Sequence, residues 1–346
     1  MTFNSLILIW FDKNKRNLPW RNQQDPYRIW LSEIILQQTR VAQGTAYYLK
    51  FIENFPSIYD LANASEQEVL KLWQGLGYYS RARNLHFTAK HIVNELNGEF
   101  PDKFKDLLKL KGVGEYTAAA IASMAFGEIV PAIDGNVFRV FSRYFNIHQD
   151  ISLPSAKKYF FELGKEIIDK ERPGDFNQAV MELGATICTP TSPKCENCPV
   201  NESCEALVQK TVHLLPVKSK RLKIRERYLH FLEITDNKNY LIKKRTGKDV
   251  WRNLYNFPIV ELAEKESIDS ILHSLDIKDI SEKTFEETHI LTHQRLKITF
   301  WKSVISTEKL NILSEELDAE IISPEKLEEL PLPRPMEKYL NQKFSV

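Results

Sequence analysis

The chain has 346 residues and almost no net charge, since 47 Lys and Arg against 46 Asp and Glu leave +1. Bulk electrostatics announce no polyanionic partner, so a nucleic acid would have to be gripped by local patches or backbone dipoles. Long apolar runs are also missing. The uncharged stretch 116–127 falls well short of the ~20 residues a membrane helix needs, and the apolar patch 6–11 has no basic segment before it. Neither a membrane anchor nor a secretion signal is expected. Glycine is scarce, at 12 residues, and no internal repeat or low-complexity tract occurs, which excludes collagen-like and disordered readings of the whole chain. Cysteine is limited to Cys188, Cys195, Cys198 and Cys204. Four cysteines inside one short segment would staple a chain of this length poorly, so the expected compartment is reducing, the cytoplasm, and the expected role is metal binding.

What is present reads as two domains. Residues 1–210 are predominantly helical, with apolar residues at three- and four-residue spacing and repeated start signals: Asp25-Pro26, Asp102, Ser155 and Pro173-Gly174-Asp175. Residues 211–227 are a short basic linker with Lys218, Lys220, Arg221, Lys223, Arg225 and Arg227. Residues 228–346 read as α+β, with strands expected over 228–235, 240–244 and 296–306, and short helices over 267–275 and 324–329.

Three patterns carry chemistry. The spacing Cys-x6-Cys-x2-Cys-x5-Cys lets four thiolates converge on one metal centre. Structural zinc is one reading and disulfides another, but zinc sites usually pair two knuckles across a longer gap. Gly112-Val113-Gly114 joins two apolar-periodic stretches. Such a turn leaves amides open at the start of the next helix, where a phosphate can bind, although a plain connector would look the same. Glu33 lies on or beside an apolar stripe with Ile29 and Leu36, where desolvation favours its protonated form; a boundary glutamate turned to solvent is the alternative.

The cysteine loop resembles the iron–sulfur loop of the endonuclease III and MutY branch of DNA glycosylases. Residues 107–120 resemble the helix-hairpin-helix of base-excision glycosylases, and 131–137, with Asp134, resemble that superfamily's Gly/Pro-then-Asp signature. The segment 31–39 is similar to the MutY motif at the start of its adenine pocket, and residues 228–346 resemble the Nudix-like C-terminal domain of the MutY family. The fold implied is an all-α helix-hairpin-helix glycosylase domain with an iron–sulfur loop, joined to an α+β Nudix-like domain. A [4Fe–4S] cluster on Cys188, Cys195, Cys198 and Cys204 is implied with it.

The resemblance implies an adenine DNA glycosylase that flips adenine out of a duplex, opposite 8-oxoguanine or guanine, and hydrolyses its N-glycosidic bond. It implies Glu33 as the acid that protonates adenine, Asp134 as the anion beneath the developing sugar cation, and Asn136 as its hydrogen-bonding neighbour. In the endonuclease III branch a lysine stands where this chain has Tyr116, and tyrosine cannot form the imine of a lyase. A monofunctional enzyme is therefore expected over the alternative, a bifunctional glycosylase/lyase for oxidised pyrimidines; a non-catalytic DNA-binding module is the third reading.

Arg21, beside Trp20, matches the family's pocket wall. Gln38, Thr39, Leu76 and Tyr78 match positions around the opposite base, Gly112 and Gly114 the phosphate grip, and Arg81 and Arg83 flanking phosphate contacts. Tyr79 is expected in the core. The lesion-reading Phe-Ser-His of the family is replaced by Leu291-Thr292-His293, so its role falls to Thr292 and His293. Trp251 to Pro258 resembles the family's Trp…Phe-Pro segment, although burial in a sheet explains it equally well. The long Glu-rich Nudix box is absent, which argues against pyrophosphohydrolase activity. The implied partner is double-stranded DNA, with no membrane or small-molecule substrate and a monomer as the default; a bacterial protein of this kind would associate with the nucleoid.

Overall fold

A computed structural model describes residues 2–21, 23–219, 224–264, 266–275 and 283–344. The helical elements are α1 (Phe3–Asn14), α2 (Pro26–Leu36), α3 (Val41–Asn54), α4 (Ile58–Asn63), α5 (Glu66–Trp73), α6 (Ser80–Glu95), α7 (Phe104–Leu107), α8 (Glu115–Phe126), α9 (Gly135–Tyr144), α10 (Pro154–Ile167), α11 (Pro173–Thr186) and α12 (Glu205–Val208). Then follow β1 (Arg225–Thr235), β2 (Tyr240–Lys244), β3 (Tyr255–Asn256), β4 (Ile259–Leu262), α13 (Asp269–Ser274), β5 (Lys283–Ile290), β6 (Gln294–Val304), α14 (Thr307–Glu316), β7 (Glu320–Ile322), α15 (Pro324–Glu329) and α16 (Arg334–Phe344). None of the described helices is long and apolar enough to cross a membrane.

The chain forms two compact units: residues 1–63 with 84–220, and residues 64–83 with 221–346. The excursion 64–83, which carries α5 and the start of α6, thus groups with the C-terminal part of the chain. The sequence suggested a linker running to residue 227, but β1 already begins at Arg225. Arg227, whose side chain is 8% exposed, is anchored there by Asp249 and Glu261, both at 2.7 Å.

In the first unit α8 is apolar nearly all round, with Ala118 to Ala122 fully buried, as suits a helix at the centre of a bundle. It packs against α2 and α11. Around it Ile7, Phe11, Val140, Phe141, Phe160, Phe176 and Leu183 bring α1, α9, α10 and α11 into one core. Pro26 and Pro173 open their helices as expected, and the Asp25 side chain accepts from Tyr27 N at 2.9 Å. Two other start signals act differently. Lys103, not Asp102, occupies the position before α7, and Ser155 lies one residue inside α10 behind Pro154. Apolar periodicity placed these helices correctly; the cap chemistry at their starts did not follow it.

The second unit is built on a mixed sheet in the order β3-β2-β1-β6-β5, with β4 on β1 and β7 on β2. β1 runs parallel to β6 from Arg225↔Gln294 to Thr235↔Val304, and β5–β6 is an antiparallel hairpin whose turn holds residues 291–293. Side chains alternate between the two faces. Leu232, Ile234 and Leu241 pack with Leu272, Leu310 and Leu313 on one side. Phe231, Phe300 and Tyr339 stack on the other, with centroids 4.6 and 4.3 Å apart. Trp251 and Phe257 are buried, which accounts for their segment by packing.

Candidate functional site

In the first unit, residues from α2, α8, α9, α11 and the segment before α2 line a cavity of about 510 Å³, within the range of small-molecule sites. α2 delivers Glu33 to it. Capped by Asp25, this helix buries Ile29, Trp30, Leu31, Ile34 and Ile35 and carries Glu33 inward with them, 8% exposed. Glu33 shares a hydrogen bond with Tyr116, in the first turn of α8. The Tyr116 hydroxyl also lies 3.1 Å from Met181 Sδ, an alternative acceptor for its one proton. Burial pushes the Glu33 carboxyl up to about 7; the Tyr116 hydroxyl opposes the shift, the Asp134 carboxylate adds to it, and Arg21 opposes it. Burial likewise holds the Tyr116 phenol well above its ordinary range, so it stays neutral.

Asp134 is the N-cap of α9. Its Oδ1 accepts from Asn136 N and Val137 N, each at 2.8 Å, and Oδ2 from Asn136 Nδ2 at 2.7 Å. Besides capping α9, Asp134 lines the cavity. Burial raises its pKa, while the three donors and Arg139 pull back. Asn136 in turn accepts from Arg139 Nη2 at 2.8 Å, and Arg139 donates to Cys188 O at 2.7 Å and Gly184 O at 2.9 Å. A side chain at Gly184 would place its Cβ 2.6 Å from that of Asn136, so α11 can approach only because this residue is glycine. A continuous series of hydrogen bonds thus joins the cysteine loop to Asp134.

The other wall carries a second glutamate. Glu182 on α11 has a side chain only 1% exposed and is clasped by Arg16, through Nε at 2.6 Å and Nη2 at 2.8 Å, and by Arg21 Nη2 at 2.6 Å. Arg21 is itself 9% exposed and lies 5.4 Å from the centroid of the Phe11 ring. Burial works against the Glu182 anion, but the two guanidinium groups outweigh it and hold its pKa below the usual value. Arg21 is accordingly a buried wall residue of the cavity.

Cys188, Cys195, Cys198 and Cys204 line one small cavity together with Ile187, Pro193, Leu207, Val212 and Arg143. None is in a disulfide. Arg143, 3% exposed, donates to Cys188 Sγ at 3.4 Å, Thr189 O at 2.8 Å and Pro190 O at 3.1 Å. Among the described residues no group of three or more Cys, His, Asp or Glu is set to hold a single metal ion. Four thiols around an apolar space with one guanidinium beside them suit a larger, anionic thiolate-bound group.

The remaining expected residues fall into two sets. In the first unit, Gly112 adopts φ +82° and Gly114 precedes α8 with open space where a Cβ would stand; both glycines are exposed, while Val113 between them is buried. Gln38 is exposed at φ +56°, and Thr39 follows it half-buried, its amide bonded to Leu36 O at 3.1 Å. α2 stops at Leu36, so Gln38 and Thr39 lie just beyond its end. In the second unit, Tyr78 is 48% exposed at φ +47°, whereas Leu76 is 8% exposed and Tyr79 is in the core. Leu76, expected around the opposite base, keeps its apolar side chain mostly buried within this unit. Thr292 and His293 are exposed on the β5–β6 turn, and the Thr292 and Tyr78 hydroxyls are hydrogen-bonded. Arg81 and Arg83, expected on phosphates, are occupied within the unit: Arg81 is buried, and Arg83 donates to Arg252 O at 2.8 Å.

Arg139, Arg143 and Glu182 were missed from the sequence. Arginines four residues apart in the otherwise apolar α9 were the available signal for the first two.

Residues 31–167 match the HhH-GPD superfamily of base excision DNA repair proteins, 188–204 the iron-sulfur binding domain of endonuclease III, and 230–342 the NUDIX domain. The cofactor of the cysteine loop is a [4Fe–4S] cluster. The adenine DNA glycosylase of Buchnera aphidicola (subspecies Schizaphis graminum) is 34% identical over 98% of this chain and 97% of its own. The human adenine DNA glycosylase is 46% identical over 59% of this chain and 39% of its own. A thermostable thymine-DNA glycosylase structure covers 60% of this chain and 95% of its own, with a TM-score of 0.54 and 32% identity. With a relative aligned end to end and all three domain matches in order, the chain belongs to the adenine DNA glycosylase family.

Proposed function

We propose that this enzyme acts on double-stranded DNA in which adenine faces 8-oxoguanine or guanine, and removes the adenine by hydrolysis without cutting the strand. The observation that carries the reading is Glu33: a buried carboxyl pushed up to about 7, beside the Asp134 carboxylate in one cavity. Glu33 can thus hold a proton near neutral pH, while the donors from Asn136 and Val137 favour the anion at Asp134.

Adenine leaves badly as an anion. Glu33 donates its proton to N7, the C1′–N9 bond breaks with its electron pair passing to the base, and neutral adenine departs. Positive charge then builds on the sugar, and Asp134 stabilises it electrostatically. Water adds to C1′ and gives up a proton to the Glu33 carboxylate, which restores the acid. Asn136 fixes the Asp134 carboxylate; Tyr116 orients Glu33 and offers no amine for an imine. Arg21 forms part of the pocket wall. When bound, the cluster ties the loop 188–204 into one piece, with the four cysteines as its ligands.

DNA is held by the amides of the Gly112–Gly114 turn. Gln38, Thr39 and Tyr78 face the base opposite, with Leu76 packed beneath, and Thr292 and His293 test that base for the lesion. Left-handed backbone at Gln38 and Tyr78, neither of them glycine, supports this placement, because such strain gathers at ligand clamps.

The test is single-turnover cleavage of a labelled duplex with adenine opposite 8-oxoguanine, read with and without alkali. Breaks that appear only after alkali, and vanish in Glu33→Gln, are expected. Breaks without alkali would establish lyase chemistry instead, and no excision would leave a DNA-binding module.

A further inference from the structure

The loop joining α5 to α6 is built on backbone that L-residues rarely adopt: Gly75, Gly77 and Tyr78 stand at φ +93°, +72° and +47°. Glycine takes such angles freely, but at Tyr78 they strain the backbone and the surroundings must hold it. Tyr78 is 48% exposed, so its own burial contributes little of that hold.

The support comes from beneath. Arg81, 9% exposed, donates from Nη2 to Gly77 O at 3.2 Å and more weakly to Leu76 O at 3.4 Å. Its guanidinium lies 5.0 Å from the centroid of the fully buried Trp73 ring and 5.7 Å from that of Tyr78. Trp73 Nε1 donates to the same Gly77 carbonyl at 3.0 Å. Desolvation draws the Arg81 pKa down to about 10, which still leaves it charged at neutrality. The cation thus lies over two rings while it bonds the loop carbonyls. Lysine cannot do both at once, because its ammonium is a point charge without a planar face. A residue so enclosed is poorly placed to grip a phosphate; its hydrogen bonds fix the two carbonyls just before Tyr78, and its guanidinium also faces the Tyr78 ring.

We propose that Arg81 is a positioning residue: it holds Tyr78 as a rigid aromatic blade toward the base opposite the excised adenine, and so supports excision without touching DNA. This rests on the role given to Tyr78 above. Rigid presentation lowers the ordering cost at the moment of contact, which is where such a residue acts.

Arg81→Lys, Tyr78→Ala and the double variant, all in the full-length holoprotein, separate this from a merely structural role. Three quantities are read: single-turnover excision of adenine opposite 8-oxoguanine, thermal unfolding, and hydrogen exchange of amides 75–79 in the free protein. Arg81→Lys is expected to slow excision by about tenfold and to speed exchange in the loop. In the Tyr78→Ala background the same change is expected to cost less than about twofold more. A penalty that persists in full without the Tyr78 ring overturns the proposal, as does unchanged excision or unchanged exchange in Arg81→Lys. Should Arg81→Lys fail to fold, Trp73→Phe, which removes the indole donor to Gly77, is expected to give the same pattern. If the parent excises no adenine at all, the functional reading fails by itself, and the exchange measurement then decides whether Arg81 holds the loop.

Discussion

Two glutamates line the same cavity from different walls, and they live in opposite electrostatic conditions. Glu182 on α11 is clasped by Arg16 and Arg21 and held as an anion, whereas Glu33 on α2 has a phenol and only the through-space influence of Arg21, and burial dominates it. Burial alone does not settle protonation; the identity of the nearest partners does. One carboxyl is thereby kept ionised, and the other is left able to hold a proton near neutrality. The same division runs through the arginines, since Arg139 serves Asn136 and the cysteine loop while Arg16 and Arg21 serve Glu182.

The comparison breaks most strongly at Glu33. Glu33→Gln keeps the shape and removes the proton, and the single-turnover rate of adenine excision is expected to fall by about 10²–10⁴-fold.

Removing the other glutamate should act on the fold first. Glu182→Ala leaves two buried or half-buried guanidinium groups without their anion, and denaturant unfolding is expected to show a loss of about 3–5 kcal/mol. In a background stabilised enough to assay, the unneutralised Arg21 should also favour the Glu33 anion. The falling limb of the pH–rate profile then moves to lower pH than in the parent.

A third prediction concerns pH and stability. Glu33 has a folded pKa near 7, raised by burial from its ordinary 4.5. A raised carboxyl contributes its full stability below the unfolded value and loses it as pH rises through the folded one. That interval corresponds to on the order of 3 kcal/mol. Glu33→Gln should therefore unfold at higher denaturant than the parent at pH 8–9, with the advantage fading by pH 5. Equal midpoints across this range would show that Glu33 is ionised without penalty.

The smallest effect is expected at Arg139. Arg139→Gln withdraws the donor to Asn136 and the tie to the Cys188 carbonyl, so Asp134 is held less firmly. A loss of about tenfold in rate is expected, with the iron–sulfur absorbance near 400 nm retained. Loss of the absorbance in parallel with the rate would make Arg139 a residue of the cysteine loop alone.

Much of this organisation was legible in the chain. The helices and strands followed apolar period, Asp25-Pro26 opened α2, and the cysteine spacing pointed to a metal group, because each signal is local. Glu33 was legible as an inward acid for the same reason: its helical neighbours are apolar. The clasp on Glu182 was not, since Arg16 and Glu182 lie 166 residues apart and nothing near either one names the other. Nor was the enclosure of Arg81, where a basic residue in a basic, aromatic segment reads as a phosphate contact until its carbonyl partners are seen. Leu76 and Tyr78 illustrate the same limit, because spacing placed both in one loop but only the fold decides which is exposed.

The most direct test of the paired glutamates is a titration of side-chain carboxyl carbons by NMR in protein labelled with [δ-13C]glutamate, with Glu33→Gln and Glu182→Gln used to assign the two signals. The account expects the Glu33 signal to be that of a neutral acid at pH 5.5 and to titrate near 7, while the Glu182 signal stays ionised from pH 5 to 9. A Glu33 signal already ionised at pH 5.5, or two signals titrating together, would contradict it.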